Sequence, residues 1–345
     1  MGKVYENDIR PILKENDMRV ILVKNEGGPE QMVMGEYPAP QPDADEILVQ
    51  VAATALNRAD IVQRQGHYPP PTGASPLLGL EIAGTVALTG KNVTEWQIGQ
   101  PVCALLAGGG YAEYAVVHRQ VAMPVPQTLS LIDAAAVPEA FLTAYQALFW
   151  LGQMQPGHHV LIHAGASGVG TAAIQLAQGF GAKVHITAGS PEKLNLCSQL
   201  GAITAINYKE EAFADKVLTA TAGQGANIIL DFIGGPYWGQ NMRVLAVDGR
   251  VVILATMGGS HIENFNIRDL FQKRACLITS TLRSRSLEYK IRLSAEFSQY
   301  AVPRFADGRL HPVVDRIFDW QDVAAAHRYM EENRNIGKIV LRIRD

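Results

Sequence analysis

The hydrophobic positions change their pattern twice along the chain. From Met18 to about Ser130, short apolar runs are broken by glycine or proline, and several of them alternate with polar residues. From there to about residue 284, apolar runs alternate with segments rich in helix-forming residues. The short runs return near the C-terminus. This pattern predicts an irregular β-rich domain, then a layered α/β domain, then a segment that rejoins the first domain.

The apolar runs predict the strands. In the β-rich part they are Arg19–Val23, Glu46–Ala52, Gly84–Leu88, Pro101–Leu106, Tyr111–Val117, His311–Val314 and Gly337–Leu341. In the central part they are Val160–Ile162, Lys183–Ala188, Ala205–Tyr208, Asn227–Asp231, Arg250–Leu254 and Cys276–Ser280. Helices are predicted over Leu131–Ala136 and Leu142–Leu148. Six apolar strands joined by helices predict an α/β fold with a doubly wound parallel sheet.

The same pattern divides the chain. Residues 1–17 are polar and are predicted to form an N-terminal extension. Residues 18–141 and 285–345 are assigned to the β-rich domain, and residues 142–284 to the domain with the parallel sheet. A chain of 345 residues is long enough for two such domains.

The stretch Val160–Gln178 predicts a strand, a turn of small residues and a helix in direct succession. Its turn carries two of the three glycines of a G-x-G-x-x-G pattern, and Ser167 holds the middle slot. Such a turn lets backbone N–H groups approach a pyrophosphate at a helix N-terminus. The residues predicted to bind a dinucleotide here are Gly165, Ser167, Gly168, Val169 and Gly170. A plain tight turn between strand and helix is the alternative.

The end of the next strand distinguishes NADH from NADPH. An NAD site places Asp or Glu there, whereas this chain continues with Gly189 and Ser190, and Lys193 follows within a helical turn. A small backbone, a hydroxyl donor and a cation suit a 2′-phosphate, so NADPH is predicted. Ser190 can equally be the N-cap of the following helix. Both roles are compatible, because a cap leaves further N–H groups available for an anion.

Composition excludes several classes of function. The net charge is −3 and no run of Lys or Arg stands out, so no nucleic-acid partner is expected. No apolar run reaches the length of a transmembrane helix, and the N-terminus lacks the apolar core of a secretory signal. The cysteines, Cys103, Cys197 and Cys276, are scattered and form no C-x-x-C pair, which favours free thiols in the cytoplasm.

Several local patterns, in their order along the chain, resemble a known family. They are LNRAD from Leu56, RQGHYP from Arg64, GLEIAG from Gly79, HAGASGVG from His163, TAGSPEKL from Thr187 and NIGKIVL from Asn335. Together they resemble the zinc-free quinone oxidoreductase branch of the medium-chain dehydrogenase/reductase superfamily. The resemblance is strongest to the tumour-suppressor-inducible quinone oxidoreductase group and runs from about Met18 to the C-terminus.

The resemblance implies a GroES-like domain, interrupted in sequence by a Rossmann domain, with the active site in the cleft between them. It implies NADPH, and a homodimer paired through the sixth Rossmann strand, an edge that proteins rarely leave open. It also implies cofactor contacts from Tyr208, Asn335 and Lys338, although Tyr208 can be a surface aromatic and Lys338 an ordinary exposed lysine. Positions just after strand ends, where ligands bind in such sheets, add further candidates. These are Gly234, Met257, Gly258 and Leu282.

No metal is expected. Zinc-dependent relatives carry a G-H-E motif where this chain has Gly79-Leu80-Glu81, and Cys103 has no partner thiol. Glu81 is therefore predicted to be a buried structural acceptor rather than a ligand.

Three residues are candidates for catalysis. The phenol of Tyr68 could hydrogen-bond a substrate carbonyl and give up a proton, or its ring could simply pack against its surroundings. Asn57 could orient the nicotinamide or the substrate, or cap the next helix. Ser167 could hold the pyrophosphate and also touch substrate. Asp60 and Arg64, four residues apart, are expected to pair along one helix.

Three functions are compatible with these residues. The first is an NADPH:quinone oxidoreductase that acts on a small quinone. The second is an NADPH-dependent reductase of enones or enals, and the sequence does not separate it from the first. The third belongs to another class, an NADPH-binding protein with a structural or regulatory role.

Overall fold

The computed structural model describes residues 17–263 and 265–344, which form two compact units. The sheet unit is Thr143–Leu282, and the described residues on either side of it, up to Leu142 and from Arg283, form the β-rich unit. Of the predicted N-terminal extension only Asp17 is described, as the first residue of a strand. Residues 1–16 lie outside the described part of the chain. None of the described helices has the length and apolar character needed to cross a membrane.

The described residues form fifteen strands. They are β1 (Asp17–Val23), β2 (Met32–Pro38), β3 (Glu46–Ala55), β4 (Glu81–Thr89), β5 (Pro101–Leu105), β6 (Tyr114–His118), β7 (Met123–Pro124), β8 (His159–Ile162), β9 (Lys183–Ala188), β10 (Ala202–Asn207), β11 (Ala226–Asp231), β12 (Leu245–Ile253), β13 (Cys276–Thr279), β14 (Val314–Asp319) and β15 (Lys338–Arg342).

Ten α-helices connect these strands in the described residues. They are α1 (Arg58–Arg64), α2 (Leu131–Ala134), α3 (Pro138–Tyr145), α4 (Gly168–Gly179), α5 (Pro191–Gln199), α6 (Phe213–Ala220), α7 (Trp238–Val244), α8 (Ile267–Lys273), α9 (Leu287–Ala306) and α10 (Val323–Glu331). Short 3₁₀ helices cover Pro29–Gln31, Gly235–Tyr237 and Trp320–Asp322, and a π-helix covers Gln146–Leu151.

The β-rich unit is built on a seven-stranded sheet and a separate hairpin of β1 and β2. The sheet order is β14-β15-β3-β4-β5-β7, with β6 also paired to β3. All pairs except β14–β15 are antiparallel. The C-terminal strand β15 pairs with β3, where Val340 lies opposite Ala55, so the end of the chain lies in this unit.

The sheet unit contains six parallel strands in the order β10-β9-β8-β11-β12-β13. This is the doubly wound arrangement, and it confirms the parallel sheet predicted from the sequence. The strand order reverses between β8 and β11. Ligands bind at the carboxyl ends of the strands beside such a reversal, so the turns that follow β8 and its neighbours are the expected binding positions.

Several element boundaries differ from the prediction, and three of these differences have a local explanation. The helix expected over Leu142–Leu148 begins earlier, with α3, and continues as the π-helix. The strand expected from Tyr111 begins at Tyr114, because Ala112 instead forms an isolated bridge with Val20. The strand expected over His311–Val314 begins only at Val314. Pro312 precedes it and lacks the N–H that a strand interior needs.

Candidate active site

The turn after β8 is organised by its serine. Ser167 has extended backbone angles and is the N-cap of α4, and its Oγ accepts a hydrogen bond from the Gly170 N–H at 3.0 Å. A Cβ on Gly170 would lie 2.5 Å from the carbonyl oxygens of Ala164 and Gly165, so only glycine fits there. The start of a 12-residue helix therefore follows the strand closely, with its N–H groups and partial positive charge at the strand end.

The first glycine of this turn is also required by packing. Gly165 N donates to Thr187 O at 2.9 Å, which ties the turn after β8 to the end of β9. A Cβ on Gly165 would lie 2.8 Å from the Cβ of Ile186. The predicted turn residues Gly165 to Gly170 are thus brought together as a compact strand-to-helix connection. Their contact with a dinucleotide stays a prediction.

The end of β9 brings four further predicted residues together. Ser190 is the N-cap of α5, and its Oγ accepts from the Lys193 N–H at 3.4 Å. Gly189 lies under the Tyr208 ring, because a Cβ on Gly189 would be 2.8 Å from the Tyr208 hydroxyl. Tyr208 itself is 46% exposed. The capping role of Ser190 is therefore present, and a 2′-phosphate at this corner stays a prediction.

The turns after β11 and β12 meet through their glycines. Gly234 has a φ of +85° and forms a bridge with Gly259. Met257 N donates to Phe232 O at 3.0 Å, and Gly258 N donates to Ile233 O at 2.9 Å. The predicted cofactor residues Gly234, Met257 and Gly258 therefore lie side by side at the carboxyl ends of these two strands.

The remaining predicted cofactor residues lie in the part of the chain near or beyond the last parallel strand. Leu282, after β13, is buried. Asn335 donates from its side-chain nitrogen to Gly337 O at 2.8 Å and so closes the turn before β15. Neither observation indicates or excludes a cofactor.

A buried polar network, missed in the sequence, lies beneath the turns of the sheet unit. His163 Nδ1 is 3.0 Å from Thr187 Oγ1, and His163 Nε2 is 2.8 Å from Asn241 Oδ1. Asn241 Nδ2 donates to Asp231 Oδ2 at 2.9 Å, which fixes the orientation of the amide. His163 Nε2 must therefore carry a proton. Burial lowers the pKa of His163, although the Asp231 carboxylate opposes this, so the ring is neutral and its Nδ1 accepts from Thr187.

The same network holds the turn after β11. The other carboxylate oxygen of Asp231 accepts from Ile233 N at 2.7 Å and from Gly234 N at 3.0 Å. The sequence carried one signal for this, since His163 and Asp231 both stand at the end of an apolar run. We refer to Thr187, His163, Asn241 and Asp231 as the histidine network.

In the β-rich unit, Lys338 is the centre of a second buried cluster. Its Nζ donates to Glu81 Oε1, Asn57 Oδ1 and Leu56 O, each at 2.7 Å. Lys338 is 5% exposed, so the alternative of an ordinary exposed lysine is wrong. Each of the three ammonium protons of Lys338 has an acceptor within the protein. For the predicted cofactor contact, Lys338 would therefore have to give up one of these hydrogen bonds.

Asn57 and Glu81 complete this cluster. Asn57 Nδ2 donates to Glu81 Oε1 at 2.9 Å and to Ala55 O at 3.2 Å, while its backbone N–H donates to Asp60 Oδ2 at 2.8 Å. Glu81 Oε2 accepts from Glu139 N at 2.8 Å. Glu81 is thus a fully partnered buried acceptor, as expected. Asn57 is the N-cap residue of α1 with a side chain held inside the protein, and its catalytic role stays a prediction.

The expected pairing of Asp60 with Arg64 is wrong. Asp60 instead accepts from the backbone N–H groups of Asn57 and, at 3.0 Å, Gly79. Arg64 forms a salt bridge with Glu331 of α10. The i, i+4 spacing does not produce a pair, because the Asp60 carboxylate instead binds backbone N–H groups, one of them at the start of its own helix. Burial raises the pKa of Asp60 to about 6, against the effect of those two hydrogen bonds.

A histidine joins Arg64 to a buried tyrosine. Arg64 Nη1 lies 3.0 Å from His327 Nδ1, and His327 Nε2 lies 3.1 Å from the Tyr111 hydroxyl. Arginine can only donate, so His327 Nδ1 accepts and Nε2 carries the proton. Burial, followed by the Arg64 charge, lowers the pKa of His327 to about 3, so this ring is neutral.

Tyr68 is held by a buried arginine that the sequence analysis missed. The guanidinium carbon of Arg283 lies 5.1 Å from the centroid of the Tyr68 ring, and Nη1 donates to Tyr68 O at 3.3 Å. Arg283 also donates to Ala107 O at 2.8 Å and to Gln63 Oε1 at 2.7 Å, and it is only 3% exposed. Tyr68 is half-buried, and burial raises the pKa of its phenol. The loop and the ring are therefore both fixed.

Two further ionisable groups accompany Arg283. Lys290 Nζ donates to Arg283 O at 2.7 Å. The Oε2 of Glu139 is shielded from solvent and has no hydrogen-bond partner among the described residues. Burial, followed by the Glu81 charge, raises the pKa of Glu139 to about 8. Because Glu139 stands inside an apolar stretch, its role was not apparent from the sequence.

Comparisons with known proteins agree with this architecture. Residues 43–127 match the alcohol dehydrogenase GroES-like domain family, and residues 168–300 match the zinc-binding dehydrogenase family. The chain is 30% identical to the quinone oxidoreductase of Rattus norvegicus over 330 residues, which cover 94% of this chain and 97% of that protein. The chain belongs to the medium-chain dehydrogenase/reductase superfamily. The resemblance and the fold class, a GroES-like domain with a parallel six-stranded sheet, are confirmed.

Similar sequences also occur inside much larger proteins. The chain is 30% identical over 312 residues to a phenolphthiocerol/phthiocerol polyketide synthase protein of Mycobacterium tuberculosis. That match covers 88% of this chain but only 14% of the synthase protein.

Solved structures of the superfamily superpose over nearly the whole chain. An NAD-dependent alcohol dehydrogenase is 31% identical with a TM-score of 0.84, and covers 94% of this chain and 100% of its own. The CurK enoyl reductase is 28% identical with a TM-score of 0.84, covering 94% and 99%. A mycobacterial protein complexed with NADPH is 28% identical with a TM-score of 0.82, covering 94% and 100%. The chain is thus an oxidoreductase of this superfamily.

The name of one matching family raises the question of zinc. Leu80 is buried in the position of the G-H-E histidine, and Glu81 beside it is already neutralised by Lys338. Burial raises the pKa of the Cys103 thiol to about 12, which disfavours the thiolate that zinc requires. Within the described residues, no group of three or more His, Cys, Asp or Glu is arranged to hold a metal ion. The residues at this position do not fit zinc.

Proposed function

We propose that this superfamily member is a zinc-independent NADPH:quinone oxidoreductase, which transfers reducing equivalents from NADPH to a small quinone. The observation that carries the proposal is the Tyr68 phenol held in place by the buried Arg283. A fixed phenol is suited to hydrogen-bond a carbonyl oxygen that gains negative charge during reduction. The similarity to quinone oxidoreductases over most of the chain supports the same choice.

The residues of the sheet unit fit NADPH. The turn at Gly170 admits only glycine, which lets α4 start close against the end of β8, and the N–H groups of the first turn of α4 are suited to bind a diphosphate. The corner formed by Gly189, Ser190 and Lys193 offers a small backbone, a hydroxyl and a cation, and the first carboxylate after β9 is that of Glu192, which is hydrogen-bonded to Ser190. When bound, NADPH would supply the hydride, and the protein residues would bind and orient it.

The second candidate is an NADPH-dependent reductase of enones or enals. Its support is the similarity to the CurK enoyl reductase, with a TM-score of 0.84. An enone, like a quinone, develops negative charge on oxygen when its carbon accepts a hydride, so the Tyr68 donor serves both reactions. The two candidates differ in the acceptor and in whether one-electron products can arise.

We also propose that two copies associate through β13. This strand lies at an edge of its sheet, and Leu277 on it is exposed. Ile267 and Phe271 of α8 are 72% and 83% exposed, an unusual degree for large apolar residues. Light scattering should give the mass of a homodimer, and a monomer would contradict this part of the proposal.

The three free cysteines favour a reducing compartment, and we propose the cytoplasm.

The test is the initial rate of NADPH oxidation by the purified protein with an ortho-quinone, with an enone and with no acceptor. Oxygen uptake is recorded in parallel, because a semiquinone released by one-electron reduction consumes oxygen. Turnover with the quinone and preference for NADPH over NADH are expected. Turnover with the enone alone would favour the second candidate. Tight NADPH binding without turnover on either acceptor would contradict both and favour a structural or regulatory role.

A further inference from the structure

Two neighbouring carboxyl groups of the β-rich unit are in unequal surroundings. Glu81 of β4 accepts hydrogen bonds from Lys338, from Asn57 and from the backbone N–H of Glu139. Glu81 is completely buried, and its ion pair with Lys338 supplies the partner that a buried carboxylate needs. The hydrogen bond between the two residues thus uses the backbone of Glu139 and leaves its carboxyl group for another role.

The carboxyl group of Glu139 has no such support. Its Oε2 is shielded from solvent and has no hydrogen-bond partner among the described residues. Charged and titratable groups act on it from several elements. They are Glu81 of β4, Lys338 of β15, Asp60 of α1, Lys290 of α9, and Tyr68 and Arg283 of the adjoining loops.

These surroundings decide which carboxyl group keeps a proton. Two neighbouring carboxylates are costly to ionise together, and of the two it is Glu81 that has the ammonium of Lys338 as its hydrogen-bonded partner. Burial, followed by the charge of Glu81, raises the pKa of Glu139 to about 8. Near neutral pH the site therefore contains one carboxylate and one carboxylic acid, which is the usual sign of an assigned proton donor.

We propose that Glu139 is the acid that supplies the proton in the reduction of the carbonyl substrate. This inference rests on the proposed function, because it takes NADPH as the source of the hydride. The substrate gains a C–H bond from the hydride, and the electrons of its π system move to the carbonyl oxygen. The O–H bond of Glu139 breaks, and its proton forms an O–H bond with that oxygen. Because Glu139 as a whole is half-buried, water can then return a proton to the carboxylate.

The neighbouring groups are less suited to give up this proton. Burial raises the pKa of Tyr68, so its phenol can hydrogen-bond the oxygen but releases its proton less readily than an unburied phenol. Burial lowers the pKa of Lys290, but its Nζ is held on Arg283 O. An acid is most effective when its pKa lies near the working pH, and Glu139 meets that condition.

The kinetic test compares Glu139→Gln with Tyr68→Phe and with Glu36→Gln, an exposed control on β2. Gln keeps the size of Glu139 and its backbone bond to Glu81 but has no carboxyl proton. We expect Glu139→Gln to lower kcat with the active acceptor about 100-fold or more, with unchanged NADPH affinity. The wild-type rate should fall above about pH 8, and the variant should lose this dependence. Wild-type turnover and pH profile in Glu139→Gln would overturn the proposal.

A second measurement needs no turnover. The infrared carbonyl stretch of a protonated carboxyl group should be present in the wild type at pH 7, disappear on titration through about pH 8, and be absent from Glu139→Gln. A wild type without this band would overturn the proposal even if the enzyme is active. A wild type with the band but without turnover on any acceptor would contradict the proposed function instead, so the two failures are distinguishable.

Discussion

The two units bury polar residues in different ways. The cluster of the β-rich unit is ionic, with the Lys338 ammonium between Glu81 and Asn57 and with Arg64 and Asp60 nearby in the same fold. The histidine network of the sheet unit is mostly neutral, with a single carboxylate, Asp231, at its end. Both sets are satisfied by hydrogen bonds, as buried polar groups must be.

The difference follows from what each network joins. Lys338 and Glu81 are 257 residues apart, so the ionic cluster ties the last strand of the chain to an early one. The histidine network joins neighbouring strand ends, whose backbone ladder already fixes them. Charge provides a stronger and more specific link, but it is costly when one partner is lost. We therefore expect the ionic cluster to be the more sensitive of the two.

The largest effect is expected from Lys338→Met. Methionine occupies similar volume but leaves the Glu81 carboxylate buried without its ammonium partner. Breaking a buried ion pair from one side costs about 3–5 kcal/mol. The free energy of unfolding in urea should fall by that amount.

The control for this prediction is the same substitution at an exposed site, Lys91→Met, which should change stability little. The double variant Lys338→Met with Glu81→Gln removes both charges and should recover part of the loss. A single variant as stable as the wild type would show that the ion pair contributes little.

A smaller effect is expected in the histidine network from Asn241→Leu. Leucine has a similar shape but leaves Asp231 Oδ2 and His163 Nε2 without their present partner. Leaving buried hydrogen-bonding groups unpaired costs about 1–3 kcal/mol. Urea unfolding measures this loss as well, with Asn195→Leu on the exposed face of α5 as the matched control. A loss as large as that of Lys338→Met would contradict the distinction between the two networks.

What the sequence could predict was local. The strand, turn and helix around Gly165 and the cap at Ser190 depend on residues close in sequence, so their patterns were readable. The parallel character of the six-stranded sheet followed from the alternation of apolar runs and helices, whereas its strand order did not. Glu81 could be assigned as a buried acceptor, because Leu80 stands where zinc-dependent relatives have a histidine and a metal ligand at Glu81 was therefore not expected.

What it could not predict was long-range pairing. Arg283 and Tyr68 are 215 residues apart, and nothing in either local pattern indicates the other. Asp60 and Arg64 had suitable spacing for a pair, but tertiary partners of better geometry replaced it. The sequence offers Lys338 as a cofactor contact or an exposed lysine and does not indicate its burial, because a lysine is rarely buried unless it is paired and its partner Glu81 is remote. Side-chain partners across the fold depend on packing rather than on spacing.

The smallest effect concerns the pH dependence of stability, which has the same sign in both units on the acid side. Burial, followed by the charges of His159 and Lys183, lowers the pKa of His185 in the sheet unit to about 4. The unfolded chain takes up that proton first as the pH falls below about 6.5, so stability falls toward acid. His327 of the β-rich unit behaves in the same way. Acid sensitivity therefore does not separate the two units.

The pH dependence of stability above neutral pH does separate the two units. The folded pKa of Glu139 is raised to about 8 from 4.5, so its contribution to stability is complete below about pH 4.5 and is lost as the pH rises through 8. Between pH 7 and 8 the unfolded chain has released this proton while the folded protein still holds part of it. Wild type should therefore lose about 1 kcal/mol more than Glu139→Gln over this interval. Urea unfolding at both pH values measures the difference, and parallel curves for the two proteins would mean that Glu139 is already ionised in the folded state.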